Sequence, residues 1–270
     1  MFPFDTLIHI IGLFLAFIIG LSLGLLGSGG SAITVPVLVY FMGIAPTQAI
    51  PDSVFVVGVT SFAGALYNLL KRQVAWKPVL YLGIPSVIAA LITRRFLVPL
   101  LPASLKFSSS IIINKDSYLM LLFAILLIVI ARNMIRPGKI DASVVRSENI
   151  FPALIAGVIV GILIGLLGIG GGFLIVPVLV IYFSLDMKVA VGTSLWLITL
   201  NSLITFLVDT SHEVYSWNFL LIYTFLTVIG MIISWTIAKK IHSDKLKVIA
   251  GYVILVIGIL VIVERVFRNR

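Results

Sequence analysis

The sequence predicts an all-α, polytopic helical membrane protein made of two homologous repeats, and three observations predict it. First, the 270 residues are 61% hydrophobic and only 11% charged, with a mean hydropathy of +1.23. A soluble domain runs at about 45–50% apolar and about 25% charged. Second, no Asp, Glu, Lys or Arg occurs in 6–51, 53–70, 78–93, 117–131, 149–185, 189–208, 214–238 or 248–263. A spanning helix needs roughly 20 mostly apolar residues, and these continuous runs lack the alternation of a barrel strand. Third, the chain aligns with itself at a shift of 141 residues.

The self-alignment places Gly24-Leu-Leu-Gly-Ser-Gly-Gly-Ser-Ala-Ile-Thr-Val-Pro-Val-Leu-Val39 over Gly165-Leu-Leu-Gly-Ile-Gly-Gly-Gly-Phe-Leu-Ile-Val-Pro-Val-Leu-Val180. It continues without a gap through Ala49 on Ala190, Ser53 on Ser194, Ser61 on Ser202 and Trp76 on Trp217. Two Leu/Val-rich helices would match by chance in Leu and Val, not in Gly-Gly…Pro punctuation. The repeats are 1–141 and 142–270.

Taken in order, each repeat opens with an apolar helix, near 6–26 and 150–167, that runs into a glycine cluster. A short apolar segment follows, 33–42 and 173–183, too short to cross a bilayer by itself. Three longer helices complete the first repeat near 47–70, 77–101 and 117–134, and their partners lie near 188–208, 218–241 and 246–267. The total is about eight full spans and two short segments. Residues 135–148 link the halves. A Ser-rich insertion between Pro102 and Lys115 reads as a surface loop.

If all five segments of each half change sides, the halves are inverted. Twelve of the nineteen basic residues then fall on one side, which the positive-inside bias favours. If the short segments fold back instead, the halves are parallel and the basic residues divide almost evenly. The first helix, with no basic region ahead of it, reads as retained rather than cleaved. The net charge of +9 comes from short segments between apolar runs, as in membrane loops, and does not indicate nucleic acid. Without cysteine there is no disulfide, thiolate metal site or thiol nucleophile, and no metal or cofactor is expected.

The clusters Gly27-Ser28-Gly29-Gly30-Ser31 and Gly168-Ile169-Gly170-Gly171-Gly172 are the most informative feature. Glycine inside a helix costs about 1 kcal/mol relative to alanine, and freed backbone groups in lipid need partners or a watery cavity. Helices broken at equivalent places in two halves point to a transporter binding site. The N–H groups that begin each short segment suit an anion. Close helix packing is the alternative use of small residues. Pro36 and Pro177 each withdraw a donor and free a carbonyl, either to coordinate a cation or merely to kink the segment.

Ser53, Ser194 and Asn201 are the candidate side-chain ligands, although serines also bond their own helix. Asp52 is the one acid within 6–70. It is a candidate proton carrier, or else an exposed carboxylate stabilising a helix start. Its counterpart is Thr193, so its role is not duplicated. Arg94 and Arg95 either snorkel to headgroups or lend positive potential to a cavity. Trp76 and Trp217 fit interfacial anchors. An intramembrane serine hydrolase is disfavoured, because Ser28 aligns with Ile169 and two of the three histidines, His212 and His242, lie in charged loops.

The paired Gly-Leu-Leu-Gly-x-Gly-Gly…Val-Pro-Val-Leu-Val segments resemble the TauE/SafE family of sulfite and organosulfonate exporters, over essentially the whole chain. The first copy departs from the second by reading Gly-Ser-Gly-Gly-Ser in place of Gly-Ile-Gly-Gly-Gly. The resemblance implies a plasma-membrane secondary transporter of small anions, sulfite or sulfonates foremost. A passive anion channel on the same scaffold is the alternative. Expected partners are a small anionic substrate and the lipid bilayer, and the sequence leaves the oligomeric state open.

Overall fold

Free of charge and of proline, Leu7–Leu26 forms one helix, α1. The computed structural model describes residues 7–27, 30–44, 46–97, 100–102, 104–108, 111–114, 150–167, 172–209 and 216–242, with individual helical residues within 124–135 and 245–263. At Gly27 the backbone turns to φ +60° while its N–H still bonds the Leu23 carbonyl at 2.8 Å. This left-handed stop carries no Cβ penalty only for glycine.

The next helix, α2 (Gly30–Tyr40), rises about 16 Å at 1.5 Å per residue, roughly half the hydrocarbon thickness. It closes with Met42 N–H on the Val37 carbonyl (3.3 Å) and Ile44 N–H on the Leu38 carbonyl (3.1 Å), around Gly43 at φ +66°. Helix α3 (Pro46–Leu70) begins on proline, whose missing N–H costs nothing in a first turn, and carries Pro51 inside it. Helix α4 (Trp76–Leu97) is π-helical over Val79–Gly83 and again over Thr93–Leu97. The first of these turns lies between Pro78 and Pro85, which cannot donate to the ladder.

In the second half, α5 (Ile150–Leu167) and the short α6 (Gly172–Ile181) precede α7 (Met187–Asp209) and α8 (Trp217–Lys240). Helix α6 ends as α2 does, with Phe183 N–H on Val178 (3.4 Å) and Leu185 N–H on Leu179 (3.2 Å). Here Ser184, at φ +49°, stands where α2 has Gly43. Left-handed backbone costs an L-residue about 1–2 kcal/mol. Ser184→Gly is therefore expected to raise the thermal midpoint of the purified protein by about 2–4 °C; a lowered midpoint would contradict this account of the turn.

The helices pack through glycine. In α1, a Cβ on Gly20 would be driven into the Thr227 carbonyl oxygen of α8, and one on Gly24 into the Ser234 hydroxyl. In α5, a Cβ on Gly161 would meet the Ser86 carbonyl of α4, and one on Gly165 would lie 2.7 Å from Thr93 Cβ. Backbones come this close only where small residues permit it. Rising residue numbers pair with rising ones in both contacts, so α1 runs parallel to α8 and α4 parallel to α5. Helix α3 is antiparallel to α7: Gly58 faces Ser202, Gly64 faces Leu195 and Asn68 faces Gly192.

Burial is inverted relative to a soluble protein. Phe14, Phe62, Phe151 and Phe225 are half or more exposed, while Thr34, Ser53, Thr60, Ser61 and Ser194 are buried. One apolar cluster gathers Leu23, Leu82, Ile175, Leu179, Leu195 and Ile198. Another joins Ile19, Leu38, Val56, Phe219 and Tyr223 around α1, α2, α3 and α8. Among the described residues, five helices are long and apolar enough to cross a membrane, Ile8–Leu26, Pro51–Leu70, Trp76–Leu97, Met187–Phe206 and Trp217–Lys240, with the shorter Phe151–Leu166 beside them. The protein is a multi-pass membrane protein.

The insertion differs from the expected loop. Ser104–Ser108 (β1) and Ile111–Asn114 (β2) form an antiparallel hairpin, pairing Ser104 with Asn114 and Leu105 with Ile113. The Ile111-Ile112-Ile113 run has the β-branched composition that favours a strand. The expected helix near 117–134 lies largely outside the described residues, the described part of 246–267 is helical throughout, and the linker 135–148 lies almost wholly outside them.

Candidate functional site

Two interruptions, each between a long helix and a short one, organise the interior. Gly30 and Gly172 open α2 and α6, which touch one another. Ser28 and Gly29 in the first interruption, and Gly168, Ile169, Gly170 and Gly171 in the second, lie outside the described residues, as do the side chain of Ser31 and that of Pro36. Pro177 sits inside α6.

The first interruption is fastened to the other half of the chain. The Ser194 hydroxyl of α7 is 2.9 Å from the Gly27 carbonyl and 2.8 Å from that of Val191, and its single proton is divided between them. A Cβ at Gly27 would come within 2.5 Å of Ser194 Oγ and 2.8 Å of Val191 Cα. In this conformation Ser194 secures the break instead of offering its proton to a solute. Thr34, fully buried, donates its hydroxyl to the Gly30 carbonyl.

Asp52 and Ser53 are both buried, in the second turn of a helix that begins at Pro46, and both engage other groups of the fold. Asp52 is thus not an exposed carboxylate at a helix start. It is the one buried Asp, Glu, Lys or Arg among the described residues. Its counterpart Thr193 has a structural task, accepting the Ala75 N–H (2.9 Å) and donating to the Val189 carbonyl (2.7 Å). That pair pins the connector between α3 and α4 against α7.

A polar seam follows the crossing of α3 and α7. The Thr60 hydroxyl is 2.6 Å from that of Thr227 on α8. Ser61 Oγ, Ser202 Oγ and Asn201 Nδ2 are buried and have no hydrogen-bond partner among the described residues. Thr60 and Asn201 are 141 positions apart, as are Ser86 and Thr227. Where Thr60 meets Thr227, however, Ser86 donates to the Gly83 carbonyl (2.9 Å). A buried polar group without a partner costs about 1–3 kcal/mol, and none in hydrocarbon can borrow water. Such a seam can take up a polar solute or solvent.

Sequence reasoning singled out Asn201 and noted Ser61 and Ser202, but it missed Thr227, Ser86 and Ser234. They face Gly20, Gly161 and Gly24 respectively, and the glycines themselves were the signal in the sequence. Trp76 and Trp217, each half-exposed at the start of α4 and α8, suit interfacial anchoring. Arg95 is exposed in the π-helical turn of α4, and the Arg94 side chain is outside the described set. No trio of His, Cys, Asp or Glu able to hold a metal occurs among the described residues.

Known membrane transporter sequences resemble the chain over most of its length. The model of the sulfite exporter TauE/SafE family matches residues 12–261. A probable membrane transporter protein of Xylella fastidiosa (strain Temecula1) is 30% identical over 255 residues, covering 91% of each chain. A probable membrane transporter protein of Methanocaldococcus jannaschii is 29% identical over 257 residues, covering 90% of this chain and 91% of its own. No solved structure matches the chain.

Proposed function

The chain belongs to the TauE/SafE family of membrane transporters, and from that premise we propose that it is a plasma-membrane secondary transporter of small anions, sulfite or organosulfonates foremost. It works by alternating access around a site at the two helix breaks. Ser28, Gly29, Gly30 and Ser31, which follow the turn at Gly27, and the set Gly168, Gly170, Gly171 and Gly172 would supply backbone N–H groups ahead of α2 and α6, where the helix dipole favours negative charge. Ser53, Ser194 and Asn201 add side-chain bonds. The seam carries the reading: Asn201 Nδ2 is a buried donor without a partner among the described residues, and a donor suits an oxyanion.

We further propose that the two halves, 1–141 and 142–270, are inverted repeats. Helices α3 and α7, equated by the 141-residue shift, cross antiparallel, as a two-fold axis in the membrane plane requires. The close approaches obey the same shift, Gly20 to Thr227 answering Gly161 to Ser86, and Gly24 to Ser234 answering Gly165 to Thr93. Rocking one repeat against the other would break the Ser194–Gly27 bond and free both groups on one face. The glycine-packed pairs α1–α8 and α4–α5 each join one repeat to the other, so this motion has to slide along them as the site changes sides.

No Gly-x-x-x-x-Gly-Lys-Ser/Thr motif is present, so coupling is to a gradient, with Asp52 as proton carrier. The test is flux of labelled sulfite and of ethanesulfonate in proteoliposomes. Saturable uptake with counterflow fits a transporter, whereas current without exchange fits the passive channel and sinks alternating access. Asp52→Asn is expected to abolish uptake driven by a pH gradient while preserving exchange of substrate for substrate. Undiminished pH-driven uptake would remove Asp52 from the coupling.

A further inference from the structure

Three lysines far apart in the sequence meet at one end of the bundle. Lys71 follows the last turn of α3, Lys188 lies in the first turn of α7, and Lys239 in the last turn of α8. All three line a cavity of about 160 Å³, together with Tyr67, Asn68 and Trp235. Its inner wall includes Gly24, Leu25 and Val191, beside the break at Gly27, whose Cβ position abuts Val191. The cavity therefore lies against the first interruption. At its other end Lys71 and Lys239 are exposed and Lys188 is half-buried.

The lining is not only cationic. The rings of Tyr67 and Trp235 stack with centroids 3.9 Å apart and planes 2° from parallel, a flat apolar platform joining α3 to α8. Lys71 Nζ stands 5.8 Å from the Tyr67 centroid, within cation–π range. The buried indole N–H of Trp235 has no hydrogen-bond partner among the described residues. A lysine trio attracts an oxyanion and an aromatic platform accepts a short apolar stem, so the chemistry selected is an organic anion. The volume holds a small one, being well below the roughly 300–1,000 Å³ of pockets for drug-sized ligands.

The cluster is one-sided. Positions 141 residues from Lys71, Lys188 and Lys239 carry His212, Thr47 and Val98, and the counterparts of Trp235 and Asn68 are Arg94 and Asp209, of opposite charge. If the repeats are inverted, the equivalent place on the other membrane face lacks the lysine trio. One face then concentrates anions ahead of the break and the other does not.

We propose that this cavity is a capture site for a small oxyanion with a short apolar stem, from which the solute passes to the break at Gly27. The inference rests on the transport reading above and adds where the anion is first held and from which face. Bound lipid phosphate shares the oxyanion chemistry, so the test separates the two sources. Purified protein in phosphatidylcholine nanodiscs, with Trp76, Trp196 and Trp217 changed to phenylalanine, leaves Trp235 as the reporter. Ethanesulfonate should change its emission saturably. The change should vanish in Lys71→Gln/Lys239→Gln and return in Lys71→Arg/Lys239→Arg.

In proteoliposomes the glutamine pair should raise the KM for ethanesulfonate about tenfold or more, the scale on which charged clefts concentrate ions, with maximal rate within about twofold. Unchanged KM in that variant overturns the proposal. So does a Trp235 signal that answers only to added phosphatidylglycerol and never to the soluble anion, since the cavity is then a headgroup site. Binding of ethanesulfonate at Trp235 in the reporter protein, with no anion flux by the wild type, sinks the transport reading and leaves the cavity standing. Wild-type flux without any Trp235 response does the reverse.

Discussion

Gly27→Ala is expected to cut anion flux about 100-fold while the chain still inserts and purifies. Gly27 has φ +60°, which costs an L-residue about 1–2 kcal/mol. The new Cβ would also press to 2.8 Å from Val191 Cα, a backbone atom that cannot rotate aside, and overpacking adds about 1–3 kcal/mol. Together, about 3 kcal/mol weighs against the conformation in which the Ser194 hydroxyl meets the Gly27 carbonyl. At about 1.4 kcal/mol per tenfold, the proposed equilibrium between two access states would shift roughly 100-fold away from it, and an alternating-access cycle, which must visit both, would slow accordingly. Flux within about threefold of wild type would show that this contact is no part of the cycle.

Gly20→Leu and Gly161→Leu should damage stability, and to a similar degree. Each glycine sits against a backbone carbonyl of the neighbouring helix, Thr227 for Gly20 and Ser86 for Gly161. A side chain there separates α1 from α8, or α5 from α4, along the whole contact. Overpacking of this kind costs about 3 kcal/mol or more, a fall of about 6–12 °C in the thermal midpoint at this chain length. Gly43→Ala is the control: nothing lies within 4 Å of its Cβ position and only the left-handed φ of +66° is strained. It should cost no more than about 1–2 kcal/mol. If one of the two leucine variants is as stable as wild type, the two contacts are not equivalent.

The first glycine break, the short segments and most helix limits were legible in the sequence because each rests on local chemistry. The 33–42 segment appears as Gly30–Tyr40, and the 188–208 helix as Met187–Asp209. The hairpin at 104–114 was not foreseen, since a Ser-rich stretch signals a turn without saying that its flanks will pair. Asp52 left both a proton carrier and an exposed helix-start carboxylate open, because only the start of α3 at Pro46 places it a full turn deep. That Ser194 holds the break in this conformation was not legible either, because the contact spans 167 residues.

Composition and charge-free runs alone determined that this chain lives in lipid, and the glycine and proline spacing alone determined where its helices stop, because both are decided within a turn or two of backbone. Which polar side chains would be left without partners, and that lysines 71, 188 and 239 would ring one cavity, only the tertiary structure decided. The physical reason is that such groupings depend on how helices cross. Each crossing is set by glycine-sized approaches between residues that no stretch of sequence holds side by side.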